Sequence, residues 1–176
     1  MSLVVFLRGA NVGGHRVFQP AALAKAMVEF GVVNIGAVGT FVVQKPVSAA
    51  AFRKELGRRL PFETEVMVCP GSEILDLWKG EPFADPPAGK DVRQLVTVLA
   101  KKPKALPKLP ILRPEGKEWQ VDVFRIAARF AFSFWRRGDP TKPMIYPNAV
   151  AEKVLGIPGT TRSWSAFEKV CGILER

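Results

Sequence analysis

A chain of 176 residues is long enough for one substantial core or for two small subdomains. With 48% hydrophobic and 24% charged residues it has the balance of a globular protein, and no apolar run approaches the length that crosses a bilayer. Twenty-six Lys and Arg against sixteen Asp and Glu leave a net charge of +10, a footprint compatible with nucleic acid or another polyanion, yet no recognisable nucleic-acid reader motif is present.

Leu3–Leu7 is a short, wholly apolar run, as a buried strand requires. It leads into Arg8-Gly9-Ala10-Asn11-Val12-Gly13-Gly14-His15-Arg16, nine residues with three glycines, two arginines, the only histidine of the chain and no carboxylate. Glycines there permit positive φ and let a ligand or a second backbone approach closely. Arginines beside such a turn suit an anion. A helix is expected to open at Pro20, with Leu23, Met27 and Phe30 on one stripe and Gly31 ending it. Residues 38–43 read as the second strand. The next helix starts near Ser48, with Phe52, Leu56 and Leu60 at fourfold spacing; Arg53, Lys54, Arg58 and Arg59 fall off that stripe and form a solvated face. Residues 65–69 read as a third strand, and Ser72 as the cap of a short helix that runs through Trp78 to Gly80.

Pro82, Pro86, Pro87 and Gly89 interrupt any regular pattern, so residues 81–90 read as a join between an N-terminal α+β subdomain, 1–80, and a C-terminal one, 91–176. Arg93–Leu99 resumes as a strand. The following segment, 101–110, holds four lysines, three prolines and no acid. An exposed, proline-stiffened loop is the simpler reading, and a phosphate-backbone contact loop is the sharper one. Trp119, Val121 and Val123, then Phe130, Phe132 and Phe134, alternate as strands paired around residues 127–129, with the phenylalanines as core and not as a base-stacking platform. A helix over 148–155, stopped by Gly156, precedes a final helix. There Ser165 and Glu168 fit a capping box, and Phe167, Val170, Cys171 and Leu174 form the stripe, with Cys171 a small core residue. Two successive blocks of strands and helices argue for an α+β fold in place of a long parallel sheet.

The chemistry is thin. Gly9, Gly13 and Gly14 do not satisfy G-x-G-x-x-G, the second strand ends without an acid for a ribose, and G-x-x-x-x-G-K-[ST] is absent, so no nucleotide cofactor is expected. One histidine and two distant cysteines make no zinc site, no G-x-S-x-G elbow occurs, and carboxylates are scattered without a pair. No catalytic constellation is recognisable. The N-terminus lacks the features of a secretory signal, and with the cysteine pattern this gives a cytoplasmic protein with reduced thiols as the expectation. A second polar cluster, Thr160-Thr161-Arg162-Ser163-Trp164-Ser165, reads as helix caps with Trp164 packed beneath the helix. Arg162 would add a cation to an anion-friendly helix start, and convergence with Arg8 would frame a small oxyanion site.

These segments resemble a bacterial family catalogued as domain of unknown function 1697. Residues 6–14 are similar to its L-R-G-I-N-V-G-G opening, and residues 151–156 and 160–165 to its closing E-K-x-L-G and T-T-R-N-W-N-T; Glu81-Pro82-Phe83 fits a mid-chain N-P-F. The resemblance spans almost the whole chain and implies two ferredoxin-like α+β subdomains with mixed or antiparallel sheets, and no established activity. Residues 35–43 keep one glycine of the family's Y-I-Q-S-G-N-V-V-F and lose most of its polar groups. Ser163, Ser165 and Ala166 stand where the family has two asparagines and a threonine.

The leading expectation is a binding module for an anionic ligand, a phosphate-containing small molecule or nucleic acid. Arg8, Asn11, Gly13, Gly14 and Arg162 are its candidate residues, with His15, Lys142 and Trp164 behind them. Two alternatives stay open: a small enzyme using His15 as base, and a wholly structural role for these motifs.

Overall fold

The computed structural model describes residues 1–89 and 91–176; Lys90, the last residue of the expected join, lies outside the described residues. The chain divides into two compact units, Met1–Glu81 together with Ser165–Arg176, and Pro82–Trp164. The fold is α+β, with five helices and two antiparallel sheets among the described residues.

The first unit opens with β1 (Leu3–Leu7), α1 (Pro20–Ala26), β2 (Val32–Ile35), β3 (Thr40–Val43), α2 (Ala49–Arg59), β4 (Val66–Pro70) and α3 (Gly71–Lys79). Its sheet runs β2-β3-β1-β4 with every pair antiparallel, the strand order of the β-α-β-β-α-β, ferredoxin-like unit. Val5, Leu7, Phe41 and Val43 line one face beneath Leu23 and Met27 of the α1 segment and Phe52 and Leu56 of α2, a single apolar core. After α1 one 3-10 turn, Val28–Phe30, leads to Gly31, whose φ of 62° is the left-handed stop that its position in sequence led us to expect. Ser48 caps α2, its hydroxyl accepting from Ala51 N–H at 3.1 Å. Arg53, Lys54 and Arg58 are exposed, but Arg59 is half-buried. It reaches back to Glu55 and Glu29 at 2.8 and 2.5 Å and to the carbonyl of Ala26, so it ties α2 to α1 instead of joining a solvated face.

Two local expectations are corrected. The strand read as 38–43 starts at Thr40, because Gly36 and Gly39, at φ of 74° and 76°, turn the chain back on the unanticipated β2. Gly39 also lies so close to β1 that a Cβ there would stand 2.7 Å from Leu7 Cδ1. Ser72 does not cap α3: the helix begins at Gly71, whose N–H is held by the Ser2 carbonyl at 2.8 Å, so backbone supplies the anchor and Ser72 falls inside the first turn.

The second unit holds β5 (Arg93–Leu99), β6 (Ile111–Arg113), β7 (Val121–Ala127), β8 (Phe130–Trp135), α4 (Pro147–Leu155) and β9 (Gly159–Ser163) in the sheet order β6-β7-β8-β5-β9. Leaving out the edge strand β6, the order β7-β8-β5-β9 and its antiparallel pairs repeat those of the first sheet. The lysine- and proline-rich segment after β5, together with β6, stands where the first unit has its α1 crossover. Phe130, Phe132 and Phe134 are buried, as their alternation required, and β7 turns into β8 at Ala128 with a φ of 51°. On one sheet face Phe83, Phe124, Phe132, Phe134 and Trp164 pack ring against ring. On the other, Val150 and Ala151 of α4 join Leu99, Val121, Val123 and Ile126 in the core. Gly156, at φ 64°, ends α4.

The last helix, α5 (Trp164–Leu174), starts two residues earlier than a Ser165 cap would start it, so Ser165 lies in its first turn. From Ser165 onward it clusters with the first unit and not with Pro82–Trp164, whereas the sequence reading places it in the C-terminal subdomain. The reason is its stripe: Phe167 stacks on Phe6 at 5.5 Å, on the sheet face opposite α1 and α2, and Leu174 fills the space over Gly71. Cys171 is fully buried, and burial pushes its thiol up to about 11; Cys69 is buried as well and neither is in a disulfide. Among the described residues no helix is long and apolar enough to cross a membrane.

Candidate functional site

Five of the eight candidates sit on one loop of the first unit. His15 N–H donates to the Val12 carbonyl at 3.1 Å across Gly13 and Gly14, whose φ of 59° and 74° are both positive. Two successive left-handed residues make the mirror-image turn that closes tight hairpins, which is what the glycine pair is for. One step outward, Asn11 N–H donates to the Arg16 carbonyl at 3.2 Å, so 11–16 is a miniature hairpin.

Asn11 pins that hairpin. Its φ of 52° is a left-handed conformation asparagine tolerates, and its side-chain amide is fully engaged. Nδ2 donates to the carbonyls of Phe18, at 3.0 Å, and Ala37, at 2.6 Å, while Oδ1 accepts from Phe18 N–H at 2.9 Å. The loop is thereby tied to its own exit and to the β2–β3 turn. Its other anchor is Thr64: the Arg8 carbonyl accepts from the Thr64 hydroxyl and from the Arg16 guanidinium, the latter at 3.1 Å, and that guanidinium also meets Thr64 Oγ1 at 3.2 Å. Arg8 itself continues the ladder, its N–H donating to Glu65 carbonyl at 3.0 Å, with its Nε 3.8 Å from the Glu65 carboxylate. Both side chains of that pair are well exposed, so it holds Arg8 only weakly. Gly13, Gly14, His15 and Arg16 are exposed at the tip, flanked by the exposed apolar side chains of Val12 and Val17.

The other three candidates belong to the second unit. Arg162 is on β9, a strand paired with β5, and not at a helix start; Thr160 and Thr161 are strand residues too, with Thr161 Oγ1 2.8 Å from Thr97 Oγ1. The cap reading failed because a short polar stretch before a helix looks the same whether it caps the helix or forms an edge strand. Arg162 is 7% exposed, and its guanidinium donates to Thr160 Oγ1 at 2.7 Å and Thr161 carbonyl at 2.9 Å. Burial pulls it down to about 10, so it stays charged at neutral pH. Trp164 opens α5 and leans on Phe83 at a ring separation of 5.3 Å. Lys142 lies beyond the ends of β7 and β8, away from the β9 edge, where it lines a small 50 Å³ cavity with Gln120, Arg137 and Asp139. Asp139 is held below its usual range by the hydroxyl and N–H of Thr141 and then by the Lys142 charge.

The anchors Phe18, Ala37, Thr64 and Glu65 escaped the sequence reading. Ala37 and Thr64 are 26 and 56 residues from the groups they bind, and they meet them only once the sheet has formed. Among the described residues no group of three or more His, Cys, Asp and Glu gathers to hold a metal ion.

The model of the family described as protein of unknown function (DUF1697) matches residues 1–126. The solved structure of conserved bacterial protein SP0830 from Streptococcus pneumoniae is similar at a TM-score of 0.57 and 14% identity, covering 98% of this chain and 98% of that chain. At that identity the likeness is one of fold. No curated protein matches the chain.

Proposed function

The chain belongs to the DUF1697 family of proteins of unknown function, and from that premise we propose that it is a binding module that takes an anionic, phosphate-bearing ligand at the glycine loop. The observation that carries this reading is the pairing of a pinned hairpin with one sign of charge. Residues 1–28 contain no carboxylate, while Arg8 at the base of the loop and His15 and Arg16 at its exposed end share a backbone held by Asn11 and Thr64. A pre-set backbone lets a ligand bind without ordering the loop, which is where much binding energy is otherwise lost. Arg8 provides the charge-assisted contact, exchanging its loose pair with Glu65 for the ligand. His15 and the exposed glycine turn complete the surface.

One specific observation favours a structural reading for part of the motif. The Asn11 amide has both its carbonyl and its amino group engaged by backbone, so Asn11 shapes the loop without touching the ligand. The test is a thermal-shift and calorimetric titration with inorganic phosphate, nucleotides and phosphorylated sugars on the full chain. Arg8→Ala should weaken binding by about 1.5–3 kcal/mol, the usual worth of a hydrogen bond to a charged group. A response unchanged by Arg8→Ala, or no response to any phosphate compound, would refute the assignment. His15→Gln separates binding from catalysis: in a binding module it changes affinity and abolishes no turnover.

A further inference from the structure

The charge of the chain is not shared evenly. Residues 82–164 carry fifteen Lys and Arg against seven Asp and Glu, a surplus of eight, whereas all the others carry eleven against nine. The polyanion footprint therefore belongs to the second unit and not to the unit that carries the glycine loop.

Within that unit two features stand at the two ends of α4. At its C-terminal end an open groove of 580 Å³ runs between the 101–107 segment and residues 154–157, lined by Lys101, Lys102 and Lys104 with Leu106 and Ile157 among its apolar walls. At its N-terminal end Tyr146, the residue before the helix, lies parallel to Trp135 with an interplanar angle of 6° and ring centres 6.4 Å apart. Trp135 is locked by its indole N–H, which donates to the Ile145 carbonyl at 2.8 Å, and Arg93 stands over the same ring at 5.8 Å. Tyr146 is 54% exposed. Among the described residues, the three large apolar side chains that this unit exposes, Leu106, Met144 and Tyr146, fall at these two ends.

We propose that the face along α4 binds single-stranded nucleic acid, with the lysine groove holding phosphates and the Tyr146–Trp135 step stacking a base. Surfaces of this kind join a positive groove that tracks the backbone to aromatic rings that every base can stack on. The spacing agrees: a nine-residue helix separates its ends by about 13 Å, a length that an oligonucleotide of a few residues spans. An exposed tyrosine on a hydrogen-bonded tryptophan gives a rigid platform, and Arg93 adds a cation beside it. A duplex cannot use the step, since its bases are already stacked on one another.

The test is fluorescence anisotropy of the full chain with labelled oligo(dT) and oligo(U) of about twelve nucleotides, a length within the site sizes of such surfaces. Tyr146→Ala should weaken binding about tenfold and Tyr146→Phe by less than about twofold, since stacking survives loss of the hydroxyl. Replacing Lys101, Lys102 and Lys104 together by alanine should lower the slope of log affinity against log salt by about 2. Binding of either sugar supports the proposal, and a preference between them tells whether RNA or DNA is the source. It is overturned if neither oligonucleotide binds at low salt, if a duplex of equal length or poly-glutamate binds as tightly, or if Tyr146→Ala changes nothing while its melting temperature stays near that of the wild type. Tyr146→Ala should leave the inorganic-phosphate titration of the glycine loop unchanged, so failure here and failure at the glycine loop are separable.

Discussion

Replacing Asn11 by alanine isolates what holds the glycine loop in shape. The substitution removes three hydrogen bonds, to Phe18 N–H, Phe18 carbonyl and Ala37 carbonyl, at 2.9, 3.0 and 2.6 Å. Each is worth about 1 kcal/mol net, but the bond to Ala37 is exposed and water replaces most of it, which leaves about 2 kcal/mol. Alanine must also adopt the φ of 52° that asparagine tolerates, adding about 1 kcal/mol. The sum, about 3 kcal/mol, corresponds to a fall of about 1.5 M in the urea midpoint at a slope near 2 kcal/mol/M. Asn11→Gly loses the same bonds without the strain, and even after the extra freedom of glycine in the unfolded chain it should be about 0.5 kcal/mol less damaging. Equilibrium urea denaturation followed by far-UV circular dichroism measures both. A loss below about 1 kcal/mol for Asn11→Ala would mean that the tether is not what shapes the loop, and a glycine variant weaker than the alanine one would mean that the backbone is not strained there.

Gly39→Ala should cost more than about 2 kcal/mol in the same assay, because its Cβ would stand 2.7–2.8 Å from three carbons of Leu7 while φ is 76°. Phe52→Ala, at a fully buried position between Phe30 and the first sheet, should cost about 3–5 kcal/mol. Cys171 should resist a thiol reagent in the folded protein and react in urea. Its raised value means that the folded state keeps a proton the unfolded chain loses, so stability should fall as pH rises from about 9 to about 11, a slope that Cys171→Ala removes. Thr141→Val should raise the Asp139 titration midpoint, read by NMR, because the hydroxyl that donates to the carboxylate at 2.7 Å is gone.

Elements whose signal is local were legible in the sequence. The Pro20 opening, the Gly31 and Gly156 stops and the Ser48 cap depend on a few adjacent residues, and the Phe130–Phe134 alternation on one strand. β2 was missed because Val32–Ile35 continues directly from the α1 stop and is only half-buried as an edge strand, so it shows no clean alternation. β9 was missed because Gly159–Ser163 is a polar strand whose partner, β5, is 64 residues away at the Thr97–Thr161 pair. The loop was recognisable, yet its chemistry was not: Asn11 looked like a ligand-facing group, and its three bonds are visible only once Phe18 and the β2–β3 turn are brought beside it. Tyr146 and Trp135 gave no periodic signal at all, being eleven residues apart, one just before α4 and the other at the end of β8.

The two units share a strand order and antiparallel pairing, and in both the charged segment of interest follows the same strand. After β1 comes the glycine loop with Arg8, His15 and Arg16; after β5 comes the 101–110 segment with its four lysines. That position is where a β-α-β-β-α-β unit first leaves its sheet, so the chain there is least constrained by pairing and freest to carry function. The first unit then builds a crossover helix, and its loop stays short and tethered at Asn11. The second puts β6 and a proline-rich run in place of that helix, and the space against α4 stays open as the lysine groove. The same topological gap thus yields a compact, pre-shaped tip in one unit and an extended basic trough in the other. The small-anion proposal rests on the first of these, and the single-strand proposal on the second together with Tyr146 at the other end of α4.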